Sequence, residues 1–296
     1  MKVLIAVDSS PSSERLVEEA AARPWPAGTN FSVVNVVDIQ RWARLPALIA
    51  DAKQEGQRTV NAGVEKLSRS GHAALQEVIM GFPRRAISEY AKEWHADLIM
   101  VGSHGHSAIG RFLLGSVAQA ILRTAPCSVE IVRGATSGPV SSHPMKILLA
   151  TDGSDCSVGA VHSVANRPWP DGTVIRVMSV QELMVLQNQL AASSLSAVYP
   201  ASLLEELMQD AHDRASSAAE VAKGILLRAG VNAVSDPSAP IGEPRGVILD
   251  TAKSWPADMI VLGSHGRRGV DRLLMGSVSE AVAVHAHCSV EVIRAA

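Results

Sequence analysis

Short, largely apolar runs recur along the chain, separated by longer stretches in which apolar residues return every three or four positions. In the first half the runs are VLIAV (3–7), FSVVNVV (31–37), LQEVIM (75–80), DLIMVG (97–102) and SVEIV (128–132). Continuous runs of this length predict strands buried on both faces. The stretches between them predict helices. One opens at Ser10-Pro11, a capping residue followed by proline at the first helical position, and carries Leu16, Val17, Ala20 and Ala21 on one stripe. Another opens at Arg84 or Arg85, and a third at Ser116. Strand and helix alternating in this way predict a parallel sheet with helices on both faces. Such a doubly wound α/β fold binds ligands beyond the carboxyl ends of its strands.

The pattern occurs twice. KVLIAVDSS (2–10) matches KILLATDGS (146–154), and RPWPAGT (23–29) matches RPWPDGT (167–173), both at an offset of 144. Farther on, GFPRRAISEYAKEWHADLIMVGSHG (81–105) matches GEPRGVILDTAKSWPADMIVLGSHG (242–266), and APCSVEIVR (125–133) matches AHCSVEVIR (286–294), at an offset of 161. The chain therefore reads as two tandem domains, 1–133 and 145–296. The join, GATSGPVSSHP (134–144), has the composition of a linker. The second copy holds 17 extra residues between its second strand and Gly242, expected as a helical insertion around 183–200. Pro200 should split that region. After it, Leu204, Leu207, Ala211, Ala218, Ala222 and Ile225 keep helical spacing and read as a core stripe. The apolar stretch 183–195 is expected either to cover the crevice or to contact a second chain.

Composition narrows the function classes. With 47% hydrophobic and 19% charged residues, the 296-residue chain is globular rather than disordered. A net charge of −2 argues against a global grip on nucleic acid or anionic lipid, and 3% aromatics leave no platform for stacking bases. No apolar run is long enough to span a membrane, and MKVLIAVDSS reads as a strand rather than a signal peptide. Cys127, Cys156 and Cys288 stand outside any CxxC pattern, so free thiols in a reducing compartment, the cytoplasm, are expected.

The chemistry concentrates in one repeated loop. Gly102 ends a buried strand, Gly105 follows, and after nine residues Gly115-Ser116 opens a helix. Gly263, Gly266 and Gly276-Ser277 repeat this spacing. Glycines let backbone N–H groups approach a ligand closely, and the helix start adds unpaired amides and the positive end of its dipole. Together these make a phosphate cradle. A plainer reading stands beside it: turns after strands, with Ser116-x-x-Gln119 and Ser277-x-x-Glu280 as capping boxes. Spacing kept in both copies while the intervening side chains change favours binding. Two other phosphate motifs are excluded. GRFLLGS (110–116) has the glycine skeleton of a P-loop but no lysine, and GxGxxG is absent from both loops.

Gly-x2-Gly-x9-Gly-Ser, preceded by an aspartate near each domain start, resembles the ATP-binding branch of the universal stress protein family. The resemblance covers nearly the whole chain as two tandem copies. It implies a five-stranded, Rossmann-like parallel sheet in each domain, with ATP, with or without Mg2+, held between strands 1 and 4. By that resemblance Asp8 and Asp152 lie beside adenine and ribose, and Val36 and Val180 lie against the base. Gly102, Gly105, Gly115, Ser116 and Val117 hold ribose and phosphates, as do Gly263, Gly266, Gly276, Ser277 and Val278. His104 and His265 recur inside the loop and are expected to meet the ligand mainly through their backbone. A carboxylate at a strand end can accept hydrogen bonds from a ribose hydroxyl or an adenine amino group. Its alternative is a turn or helix cap, since Asp8-Ser9-Ser10-Pro11 and Asp152-Gly153-Ser154-Asp155 are strong turn sequences.

Other candidates are weaker. His104-x-His106 and His285-x-His287-Cys288 are not equivalent between copies and gather no further ligands, so no metal site is expected. Cys127 and Cys288 begin equivalent apolar strands and read as small core residues. Hydrolysis needs a base and charge compensation. Arg111 and Arg272 are equivalent and could approach a γ-phosphate, but no carboxylate recurs in the loop, so slow hydrolysis at most is expected. The tips differ, His106-Ser107 against Arg267-Arg268, which predicts tighter nucleotide binding by the second copy. SVEIV and SVEVI read as last strands whose edges invite pairing. The resemblance implies pairing through that strand. In a tandem chain the pair forms internally, giving a pseudo-twofold monomer, with a homodimer as the alternative. The reading is thus a nucleotide-dependent stress sensor or regulator, against an interaction scaffold with purely structural loops or a slow ATPase.

Overall fold

The computed structural model describes residues 1–42, 47–104, 114–134, 143–181, 201–235, 239–266 and 275–294. The first half runs β1 (Lys2–Ala6), α1 (Pro11–Ala22), β2 (Asn30–Asp38), α2 (Ile39–Trp42), α3 (Ala47–Arg69), β3 (Ala74–Gly81), α4 (Pro83–Trp94), β4 (Leu98–Gly102), α5 (Ser116–Thr124) and β5 (Ser128–Val132). The second runs β6 (Lys146–Ala150), α6 (Asp155–Ala165), β7 (Val174–Met178), α7 (Ala201–Arg228), β8 (Ala233–Ser235), α8 (Pro244–Ser254), β9 (Met259–Gly263), α9 (Ser277–His285) and β10 (Ser289–Ile293).

The strands form one ten-stranded sheet, ordered β3-β2-β1-β4-β5-β10-β9-β6-β7-β8. Within each half all pairs are parallel. The halves meet where β5 and β10 pair antiparallel, with Glu130 opposite Glu291. In each half the strand order reverses between the first and fourth strands, β1 and β4 or β6 and β9. That reversal opens a crevice beyond their carboxyl ends. The central runs are fully buried, as two-sided strands must be: Val3, Leu4 and Ile5 in β1 and Ile147, Leu148 and Leu149 in β6 have no exposed surface. The run LQEVIM is the exception: it forms the edge strand β3, where Leu75 and Met80 are exposed.

One core lies on the side covered by α4, α5, α8 and α9 and takes residues from both halves, among them Ile121, Ile131, Val282 and Val290. The opposite side carries one core per half, built under α1 and α3 around Phe31 and Leu67, and under α6 and α7 around Val161 and Leu226. The sheet is therefore double-faced throughout, and the halves share one of its layers.

The RPWP-x-GT repeat, which had no assigned role in the sequence, builds the seam. Arg23 follows α1 and donates to both Glu130 carboxylate oxygens at 2.8 Å, and to Glu19 at 2.9 Å. Arg167 follows α6 and donates to Glu291 Oε2 at 2.8 Å. Trp25 and Trp169 lie under the two guanidiniums, 5.5 and 5.1 Å from ring centroid to Cζ. Their Nε1 groups donate to the Ala20 and Val164 carbonyls. Two carboxylates facing each other inside a sheet each need a cation, and the repeat supplies one apiece.

A second reciprocal contact crosses the seam on the other side. Arg133, just past β5, donates from Nη2 to the Ala283 and Val284 carbonyls at the end of α9, at 2.6 and 3.1 Å. Arg294, just past β10, does the same for Leu122 and Arg123 at the end of α5, at 2.9 and 3.2 Å. Each half thus caps the carboxyl end of the other half's helix, where carbonyls lack intrahelical partners and a cation is favoured.

Several expectations shift. The helix expected at Arg84 or Arg85 begins at Pro83, preceded by an extended Phe82. The capping boxes do not form. The N-caps are Gly115 and Gly276, without side-chain caps, so Ser116 and Ser277 occupy the first helical position. Glu280 instead accepts from Arg123 of the other half, at 2.8 Å from Nε. In α7 the buried stripe is Ala215, Ala219, Ala222 and Leu226. Leu207, Ala211, Ala218 and Ile225 lie half-buried on its flank, because an alanine-rich helix offers two adjacent stripes and the sheet takes the smaller-residue one. The stretch 183–195, with the insertion around 183–200, lies outside the described residues. Among described helices, none is long and apolar enough to cross a membrane.

Candidate functional site

The crevice of the second half is a cavity of about 560 Å³. It is lined by all eight residues singled out there in the sequence: Asp152, Val180, Gly263, His265, Gly266, Gly276, Ser277 and Val278. The elements explain why they converge. β6 and β9 are adjacent and parallel, so Asp152, two residues past β6, and Gly263, at the end of β9, emerge side by side. The backbone returns to that point at Gly276, whose N–H donates to the Ser264 carbonyl at 2.8 Å. α9 then starts on the cavity wall. A glycine cap has no side-chain oxygen to offer, so the first-turn amides face the cavity without a capping side chain.

The glycines work through close approach rather than left-handed backbone. Gly276 has φ −70° and ψ 147°. A Cβ there would stand 3.1 Å from the Ser264 carbonyl oxygen and 3.3 Å from Ser279 Oγ. A Cβ on Gly266 would lie 2.8 Å from Asp152 Oδ2, which places the carboxylate against the cradle. The other Asp152 oxygen accepts from the Ser154 amide at 3.0 Å and the Ser154 hydroxyl at 2.6 Å. The carboxylate thus does turn work with one oxygen and points the other toward the glycines.

The ring of His265 is anchored by Ser264 Oγ, 2.9 Å from Nδ1, while its Nε2 is buried without a partner among the described residues. Burial, and secondarily Arg294, holds this imidazole below its usual pKa, which favours the neutral ring. The remaining walls were not legible in the sequence. Met178, Ile248 and Leu262 form an apolar floor, and α7 contributes Ala211, Arg214 and Ala215. Gln181 closes one end, its Nε2 donating to the Ala239 carbonyl at 2.6 Å and reaching His212 Nδ1 at 2.8 Å. Nothing in the local pattern marks these residues, because they come from elements distant in sequence.

The first half repeats the skeleton. Gly115 N–H donates to the Ser103 carbonyl at 2.7 Å, and Ser103 Oγ lies 3.0 Å from His104 Nδ1, whose Nε2 is likewise buried without a described partner. Asp8 Oδ1 accepts from the Ser10 amide at 3.0 Å, from the Ser10 hydroxyl, and from Ser13 Oγ at 2.7 Å. Val36, in β2, packs against the shared core, as does Val117 in the first turn of α5. Ser116 opens that helix and Gly102 ends β4 beside Ser12. Gly105, with the loop tips and Arg111 and Arg272, lies outside the described residues.

Burial pushes the Cys127 and Cys288 thiols up to about 12, which disfavours the thiolate form at both. Among the described residues, no three His, Cys, Asp or Glu side chains gather in a metal-binding group.

Two doubly wound α/β halves fused through their fifth strands, each with a glycine-framed crevice at its strand reversal, define the class of protein. The model of the universal stress protein family matches residues 1–133 and 144–294, and the chain belongs to that family. It is 27% identical over 303 residues to a universal stress protein of Mycobacterium tuberculosis, covering 95% of this chain and 92% of the relative. A shorter relative, a universal stress protein of Methanocaldococcus jannaschii, is 30% identical over 138 residues, covering 45% of this chain and 81% of the relative. Among solved structures, a universal stress protein from Archaeoglobus fulgidus superposes with a TM-score of 0.66 at 18% identity, covering 99% of this chain and 96% of that one. A putative universal stress protein from Pseudomonas aeruginosa gives 0.61 at 16%, covering 99% and 92%. At these identities the structures speak to the fold.

Proposed function

We propose that the chain is an ATP-binding universal stress protein of the cytoplasm with two adenine-nucleotide sites, acting as a nucleotide-dependent sensor or regulator. Its working units are domains 1–133 and 145–296, joined by 134–144. The observation that carries this reading is the convergence of Asp152, Val180, His265 and the cradle Gly263, Gly266, Gly276, Ser277 and Val278 on one cavity. The chemistry fits a nucleotide. Uncapped amides at a helix start take phosphate oxygens. Asp152 presents an oxygen where a ribose hydroxyl can donate to it, and Val180 with the apolar floor suits a flat base. Asp8, Val36, Gly102, His104, Gly105, Gly115, Ser116 and Val117 take the same parts in the first half. Mg2+ would accompany the phosphates rather than sit in a protein cage. Among the described residues Asp152 is the one carboxylate lining the cavity, and one of its oxygens is held by Ser154, so we expect slow turnover at most.

Mass spectrometry of small molecules released by denaturing the purified protein tests this. About two adenine nucleotides per chain is the expected result, and about one means the copies have diverged. None, with no thermal shift on adding ATP, overturns the reading in favour of a scaffold. Calorimetric titration of Gly115→Val and Gly276→Val then assigns each site.

A further inference from the structure

The wall formed by α7 has no counterpart in the sequence motif, and it differs between the halves in charge. Sheet registers identify the matching wall. Ala74 lies opposite Phe31, and Ala233 opposite Ile175, the equivalent strand position. α3 and α7 each end two residues before a glycine of positive φ, Gly71 at 82° and Gly230 at 78°. The two helices therefore correspond at an offset of 159, and their buried positions coincide: Gly56 with Ala215, Val60 with Ala219, Leu67 with Leu226. Under this correspondence Arg214 matches Glu55.

Arg214 lines the second cavity beside Thr151 and Asp152. Its side chain is half-exposed and pairs with Asp210 one turn earlier on α7. A guanidinium carries five donors in a fork, so it can hold Asp210 and still donate to a ligand oxygen. Glu55 is equally exposed and pairs with Arg58 at 3.2 Å. A carboxylate offers a phosphate only repulsion. By this correspondence, the α7 position that lines the second crevice is a cation where the matching α3 position is an anion. The loop tips, Arg267-Arg268 against His106-Ser107, differ with the same sign.

We propose that Arg214 and Glu55 give the two sites different charge preferences, the second selecting the more highly phosphorylated nucleotide and the first tolerating the less charged one. This rests on the nucleotide reading. It goes beyond a general difference in affinity, because it assigns the discrimination to one residue on each helix and to phosphate number.

The test exchanges the charges in the full chain. AMP, ADP and ATP are titrated into protein with the other site disabled by Gly115→Val or Gly276→Val, with and without Arg214→Glu and Glu55→Arg. At low salt Arg214→Glu should lower the ATP-over-AMP preference of the second site about tenfold, the size of two unit charges near a screened surface. Glu55→Arg should raise that of the first site by a similar factor, and both effects should shrink at high salt. Arg214→Gln should give about half the loss without setting two acids a turn apart, and Arg214→Lys should restore most of it. Preferences unchanged by the exchanges, or AMP and ATP weakened equally, overturn the proposal while leaving nucleotide binding standing. Failure of the unmodified protein to bind any of the three overturns both.

Discussion

The two cradles share a glycine skeleton but not the reason for it. Behind Gly102, a Cβ would meet Ser12 Cβ at 3.2 Å and the His104 carbonyl at 3.5 Å. Behind Gly263, it would meet the backbone of Cys156 and Ser157, with three atoms at 2.7–2.8 Å. In the first half the strand end is close to a side chain. In the second it is pressed against the start of α6, which cannot move without carrying the helix. A motif repeated within a chain can therefore be held by different constraints in its two copies. The seam shows the same divergence: Arg23 grips Glu130 with two bonds, while Arg167 reaches Glu291 with one and gives its Nε to the Ser163 carbonyl at 3.0 Å.

The seam offers the largest effect. Arg23→Ala would leave Glu130, which has no exposed surface, facing Glu291 without its cation. Removing one partner of such a buried pair costs about 3–5 kcal/mol. Arg167→Ala should cost less, since only one bond to Glu291 is lost, and denaturant unfolding of the two variants measures the gap. A double variant losing much less than the sum would show that the four side chains act as one unit. Equal, small losses would mean that water reaches the carboxylates.

Gly102→Ala against Gly263→Ala comes next. Forcing a methyl into packed backbone costs about 1–3 kcal/mol, so Gly263→Ala should fall in that range. Gly102→Ala should cost less, because Ser12 has only to shift by tenths of an ångström. Equal melting temperatures for the two variants would erase the distinction drawn between the cradles.

The smallest effect is with pH. Burial, then Arg294, depresses His265, and burial, then Lys253 and Arg133, depresses His287. Both are in the second half. The folded state prefers these rings neutral, so the unfolded chain takes up protons first. Their contribution is complete above a pH of about 6.5, the ordinary histidine value, and is lost as pH falls below it. Urea midpoints at pH 8 and 5.5 should show the loss, and His265→Gln should reduce it.

The amino-acid sequence alone determined the strands, the repeat and the cradle. Two-sided burial writes itself as continuous apolar runs such as VLIAV and DLIMVG, and a backbone site survives only where glycine spacing survives. Ser10-Pro11 marked the start of α1 because proline fits the first helical position. The capping boxes misled because a serine looks the same at the cap and one residue inside it, and only the return of Gly115 and Gly276 to Ser103 and Ser264 separates the two. The α7 stripe misled because periodicity does not choose between adjacent alanine-rich faces. The tertiary structure alone decided the rest. RPWP was visible as a repeat, but its purpose appears only when β5 meets β10 and sets Glu130 against Glu291. Gln181 and Arg214 become cavity residues only when β7 and α7 fold over the end of β6. Local pattern records how each element is buried. Contacts between elements far apart in the chain depend on which faces meet, and no local stretch encodes that.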